Sequence, residues 1–146
     1  MAEISEALTE RMLNRLGFGA RPALDLTGLT ALYDAWCRKV PFDNVRKRIH
    51  VAARNPAQLP GDSPHDLIEG FLEHGVGGTC WSLHGGLTAF FAACGFDARR
   101  AIGTMMVAPN LPPNHGSAVV MLDGRRFWSM DASNTACPSS CKWARL

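Results

Sequence analysis

Residues 75 to 96, GVGGTCWSLHGGLTAFFAACGF, constrain the fold more than any other stretch of the chain. Gly77 and Gly78 allow a sharp backbone turn. A helix should then begin at about Cys80 and run through Leu83, Leu87, Phe90, Phe91 and Cys94 to Gly95, a candidate left-handed C-terminal cap. It is apolar on most sides, so it belongs at the centre of the molecule with other elements packed around it. A chain of 146 residues is long enough to supply that surround as one domain with a core.

The residues before this segment read as three helices. Ser5 can cap one carrying Leu8, Met12, Leu13 and Leu16 on one face, stopped near Gly17. Thr27 can cap a second with Leu29, Leu32, Tyr33 and Trp36 inward; Pro41 ends it and pushes Val40 out of helical geometry. Ser63-Pro64 with Asp66 in the first turn starts a third, and Gly75 suits its stop. Residues 45 to 62 read as an irregular polar connector. From Ala98 the period becomes strand-like: ARRAIGTMMVA, a Pro-rich loop from Pro109 to Pro113, then SAVVML and RRFWSM joined by Asp123-Gly124. Asp-Gly between apolar runs signals a hairpin, because both residues tolerate positive φ. The expected fold class is α+β. A helical bundle over residues 1–96 carries the central helix, a partial β-subdomain covers 97–135, and 136–146 form an irregular tail. About three strands leave exposed sheet edges, which permit self-association.

Composition excludes several functions. Net charge is only +2, and the basic residues fall in short separated groups (Arg46 to Arg48, Arg99-Arg100, Arg125-Arg126), so no nucleic-acid partner is expected. No apolar stretch approaches the roughly 20 residues that span a bilayer, and the charged, amphipathic N-terminus is unlike a signal peptide. No membrane partner and a cytoplasmic address follow as expectations. Five cysteines, an odd number at irregular positions, fit a reducing compartment rather than a disulfide framework. Cys137 and Cys141 have metal-like spacing but no second ligand pair, so no metal is expected.

The chemistry lies at Cys80. Unpaired N–H groups at a helix start favour a thiolate and can stabilise an oxyanion, which makes such a cysteine a natural nucleophile for acyl transfer. Read alone, it could equally be a small buried hydrophobe. A nucleophilic thiol needs a base, and the base an orienting acceptor. Among five histidines, His50 sits in the polar connector, and His65 and His74 lie near the two ends of one helix. His84 shares the helix face of Cys80 and reads as a packing or wall residue. His115 opens one strand and Asp131 closes the next, so the hairpin brings this pair together. A strict two-residue turn would set Asp131 opposite Gly116, on the other face from His115. A longer turn or a bulge would set it opposite Ser117, diagonal to His115. A Cys80-His115-Asp131 triad therefore predicts an irregular turn.

In order along the chain stand Leu16-Gly17-Phe18, Val40-Pro41-Phe42-Asp43-Asn44, Gly77-Gly78-Thr79-Cys80-Trp81, Gly95-Phe96, His115 and Trp128-Ser129-Met130-Asp131. This series resembles the arylamine N-acetyltransferases over about residues 12–135. The resemblance implies a cysteine-protease or transglutaminase-like fold in which the helical bundle is followed by the start of an antiparallel β-barrel. It implies a ping-pong transfer of acetyl from acetyl-CoA, as co-substrate, to an arylamine or hydrazine. Cys80 would be the acetyl acceptor, His115 its base, Asp131 the orienting acid, and Phe42 part of the acceptor pocket. The chain departs from the family pattern at several places. Val76 replaces an Arg and Asp43 a Glu, which removes an ion pair; Ser82 and His84 replace Glu and Asn. Asp131-Ala132-Ser133-Asn134-Thr135 lacks the family's glycines. Family members are also longer, so much of the CoA site is expected to be missing. Two alternatives remain: a catalytically silent remnant or interaction module, and a CoA-independent Cys-His-Asp amidase or amide-forming enzyme.

Overall fold

The structure is a computed structural model that describes residues 4–104 and 110–129, and the backbone of 143–145. Five helices precede a four-stranded antiparallel sheet in the order β1-β2-β3-β4. Helix α5, Cys80–Ala93, is the central element: Ser82 through Phe91 are all buried. Helix α4, Pro64–His74, packs on one side of it and strands β1, Asp97–Gly103, and β2, His115–Leu122, on another. Helices α1, Glu6–Leu16, and α2, Leu26–Lys39, add Met12, Leu29, Leu32, Tyr33 and Trp36 to the same core. The Trp36 ring stacks on Phe90 at 6.0 Å between centroids. Each such fully buried side chain contributes roughly 1.5–3 kcal/mol relative to exposure. This α+β architecture is the one the sequence implies.

Local signals explain most helix ends. The Ser5 hydroxyl accepts from Leu8 N–H, and Gly17 closes α1 in the left-handed region at φ 94°. Ser63 accepts from Asp66 N–H, Pro64 occupies the first turn, and Gly75 ends α4 at φ 67°. Val40 leaves helical geometry before Pro41. The expected Thr27 cap is corrected: Asp25 caps α2, its carboxylate accepting from Gly28 N–H at 2.8 Å. The incoming chain crosses close over Gly28, where a Cβ would overlap the Ala23 carbonyl oxygen.

The connector expected to be irregular begins with a helix, α3, Val45–Ala52. No residue of α3 is buried, and its apolar residues Val45, Ile49 and Val51 are exposed. Polar contacts hold it instead. The Asp43 carboxylate accepts from Val45 N–H at 3.1 Å, Arg46 donates to Asp66 at 2.9 Å, and Lys47 donates to the Thr79 hydroxyl at 2.8 Å.

The sheet places His115 at its end. Strand β1 pairs with β2 from Asp97↔Met121 to Gly103↔His115. Strand β3, Arg125–Ser129, pairs with β2 from Leu122↔Arg125 to Val119↔Trp128. Asp123 and Gly124 alone form the turn, at φ 50° and 71°, as both central residues of a tight hairpin turn require. The expected irregular turn is therefore corrected. The irregularity enters at Ser129, whose hydroxyl accepts from Ala118 N–H at 2.9 Å and donates to Ala118 O at 3.2 Å. Its carbonyl accepts from the Ser117 hydroxyl at 2.9 Å. These side-chain bonds tie Ser129 to β2 beyond the Val119↔Trp128 pair. Asp131, like Cys137 and Cys141, lies outside the described residues. The expectation of a wholly irregular tail over 136–146 is also corrected: Trp143–Arg145 forms β4 on the free edge of β3. Among the described residues no helix is long and apolar enough to cross a membrane.

Two variants test this framework. Gly77→Ala places a Cβ onto the Pro41 carbonyl oxygen and should cost about 3 kcal/mol or more. Gly75→Ala, with open space but positive φ, should cost about 1 kcal/mol; equal melting temperatures for the two would refute the assignment. The Asp66 carboxyl is raised by burial, but hydrogen bonds from Arg46 and Gly61 N–H outweigh this and hold it below its ordinary value. A depressed folded-state value means that stability is present above the unfolded value and lost as pH falls through the folded one. Asp66→Asn should therefore lower the melting temperature at neutral pH, with the gap to wild type closing below the ordinary carboxylate range.

Candidate active site

The site is built where two chain segments run side by side. Asp43 N–H donates to Gly78 O at 3.1 Å, Gly78 N–H to Pro41 O at 3.4 Å, and Gly77 N–H to the Asp43 carboxylate at 2.7 Å. Phe42 and Gly78 form a parallel bridge. This lacing fixes the approach to α5, so Phe42, 40% exposed, is held two residues from Cys80 across the bridge. Asp43, whose family counterpart is Glu, serves here through backbone N–H groups rather than beside an Arg at position 76.

Cys80 is the first residue of α5 and is half-buried. The helical ladder begins with Leu83 N–H donating to Thr79 O at 2.9 Å, so the N–H groups before it point from the helix start. The Thr79 side chain makes no cap bond to them; its hydroxyl accepts from Lys47 instead. His115 is brought to this corner by its neighbour Gly116. A Cβ built there would lie 3.2 Å from Trp81 Cα and 3.4 Å from Cys80 O, so β2 lies flush against the first turn of α5. His115 is half-buried, its Nδ1 is fully buried, and this nitrogen has no hydrogen-bond partner among the described residues.

Two further groups converge on the corner. His84, 1% exposed, sets its Nδ1 2.9 Å from Cys80 O and its ring edge-on to His115 at 5.6 Å between centroids. Arg100, from β1, lies 3.7 Å above the Trp81 ring and donates to Trp81 O at 2.6 Å. Burial lowers the guanidinium from its ordinary value, opposed by Asp62. Behind Arg100 a cavity of about 340 Å³ opens between Asp62, Ser63, Gly85 and Thr88. Among the described residues no group of three His, Cys, Asp or Glu side chains could hold a metal ion.

A thiol at a helix start, with two imidazoles and two cations gathered at the same corner, is an arrangement suited to nucleophilic acyl transfer. The N-acetyltransferase family model matches residues 25–139. The chain belongs to this family. No curated protein matches it. Among solved structures, an arylamine N-acetyltransferase from Salmonella typhimurium superimposes with a TM-score of 0.75 at 20% identity, over 99% of this chain and 50% of that one. One from Bacillus cereus, described with a Cys-His-Glu catalytic triad, gives 0.65 at 21% identity, over 86% and 48%. One from M. smegmatis gives 0.64 at 26% identity, over 83% and 44%. The chain spans about half the length of the N-acetyltransferase structures it matches.

Sequence reasoning did not find Lys47 or Arg100. Lys47 lay in the supposed connector, where Asp43-Asn44 ahead of VRKRIHVA was the available helix-start signal. Arg100 had no local signal, since only the pairing of β1 with β2 and their packing on α5 carry it to Trp81. The described cysteines differ in accessibility: Cys37 and Cys94 are buried, and burial pushes the Cys94 thiol up to about 11. Iodoacetamide on the folded N-acetyltransferase-family chain at pH 7 to 8 should modify Cys80 while sparing Cys37 and Cys94, as peptide mapping would read. Equal labelling of the three would contradict this arrangement.

Proposed function

We propose that the chain is an arylamine N-acetyltransferase-type acyltransferase that carries acetyl from acetyl-CoA to an arylamine or hydrazine through an S-acetyl Cys80 intermediate. One observation carries this reading: in an N-acetyltransferase-family chain, Gly116 seats β2 against the first turn of α5, which brings His115 to the helix end that bears Cys80. In the first half-reaction His115 takes the Cys80 proton and Sγ attacks the thioester carbonyl. The C–S bond to CoA breaks, and the leaving thiolate takes up the proton. In the second, the amine nitrogen attacks the acetyl-cysteine carbonyl. Amide forms, the amine's proton passes to His115 and then to the departing Cys80 sulfur. The N–H groups at the start of α5 would meet the oxyanion in both steps.

Asp131 is proposed as the acid that orients His115. A buried imidazole nitrogen without a partner among the described residues supports this, because an acceptor is needed to fix the tautomer of a general base. The Bacillus cereus relative uses Glu in its triad, so a carboxylate is required but its side-chain length is not fixed. Phe42 and Trp81, both partly exposed beside Cys80, supply apolar walls suited to an aromatic amine.

Intact-mass spectrometry after incubation with acetyl-CoA tests the first half-reaction. Wild type should gain about 42 Da, acetyl replacing hydrogen, as expected of a covalent acyl-enzyme. Cys80→Ala should gain nothing, and Asp131→Asn should acquire the adduct at least tenfold more slowly, within the roughly hundred-fold range general-base assistance supplies. A folded wild-type chain that acquires no adduct would rule out the acetyl-enzyme step.

A further inference from the structure

We propose that His84 is a positioning residue for the Cys80–His115 pair, an inference that rests on the reading of that pair given above. The argument begins with hydrogen-bond chemistry. His84 Nδ1 lies 2.9 Å from the carbonyl oxygen of Cys80. A carbonyl only accepts, so Nδ1 carries the proton and donates. The orientation of the ring is thereby set by the backbone of the residue that bears the nucleophile. The same ring meets His115 edge-on, with centroids 5.6 Å apart. His84 therefore touches both members of the pair, one through backbone and the other through its ring, and at 1% exposure it has little room to turn.

The surroundings add to this constraint. On α5, Thr88 donates its hydroxyl to His84 O at 2.7 Å, which ties the next helical turn. From α3, Lys47 reaches Thr79 directly before Cys80. From β1, Arg100 holds Trp81 directly after it. From β2, His115 itself closes the remaining side. His84 thus acts as a spacer that orients His115 against the first turn of α5.

His84 is also one of the positions where the chain departs from the family pattern. At this place the N-acetyltransferase resemblance expects Asn, a donor without a ring. The bond to the Cys80 carbonyl needs only the donor, whereas the contact to His115 needs the ring. The two functions can therefore be separated by substitution. His84→Asn removes the ring and offers a side-chain N–H; His84→Phe keeps a ring and removes the donor.

The test is the pH–rate profile of Cys80 alkylation by iodoacetamide, followed by peptide mapping, in wild type, His84→Asn, His84→Phe and His115→Ala. Circular dichroism and thermal melting establish that each variant is folded, with His84→Gln replacing any that is not. His115→Ala should move the profile to higher pH than that of wild type. Each His84 variant should move it in the same direction by about one pH unit, a tenfold loss of rate at pH 6. If His115→Ala shifts the profile and the folded His84 variants keep the wild-type one, His84 is a wall residue and the proposal is overturned. If His115→Ala leaves the profile unchanged, the Cys80–His115 pairing fails, and the positioning role fails with it.

Discussion

The backbone hydrogen bonds that lace Pro41–Asp43 to Gly77–Gly78 are the constraint on which the rest of the corner depends. They work only because Gly77 has no Cβ, so the Pro41 carbonyl can occupy that space. The Asp43 carboxylate extends the same lacing in two directions, to Gly77 N–H and to Val45 N–H, and so joins the approach to α5 with the start of α3. Three consequences follow from one local contact: Phe42 is held beside Cys80, Lys47 reaches Thr79, and the first turn of α5 has a fixed direction.

An almost wholly apolar helix presents a difficulty at its ends, where unpaired backbone groups must meet polar partners. Around the N-terminal end of α5, polar side chains from α3, β1 and α5 itself bond to oxygens of the first turn, while its leading N–H groups stay open among the described residues. Lys47 takes the Thr79 hydroxyl, Arg100 takes the Trp81 carbonyl, and His84 takes the Cys80 carbonyl. Burying these groups is costly unless they are bonded. The cost is offset because each contacts the backbone or side chain of the segment that carries the thiol. The core behind supplies the rigidity: Leu83, Leu87, Phe90 and Phe91 are fully buried, with α4, β1 and β2 packed on α5.

The similarity to arylamine N-acetyltransferase structures at about one-fifth identity shows how little of the sequence is needed to keep this fold. Within this chain the corner rests on positions with a geometric requirement: Gly77 and Gly78 at the tight approach, Cys80 at the helix start, and Gly116, whose lack of a side chain lets β2 lie against α5. His84 bonds to Cys80 O from the same helix.

The sequence by itself determined the ends of α1 and α4, the central burial of α5 and the Asp-Gly hairpin, and it named Cys80 and His115 as candidates for the chemistry. Those features rest on local rules: side-chain caps, positive-φ glycines and hydrophobic periodicity act over a few residues and are therefore written in order along the chain. Tertiary structure alone decided the rest. Helix α3 buries no face, so its helicity depends on Arg46 and Lys47 finding partners on α4 and at Thr79. Strand β4 depends on the edge that β3 presents. The bond of the Ser129 hydroxyl to Ala118 is likewise a contact no register rule contains. Arg100 met Trp81, 19 positions away, through strand pairing, and His84 met His115 through the packing of β2 on α5. Their chemistry is visible in the sequence, but their placement is a property of the fold.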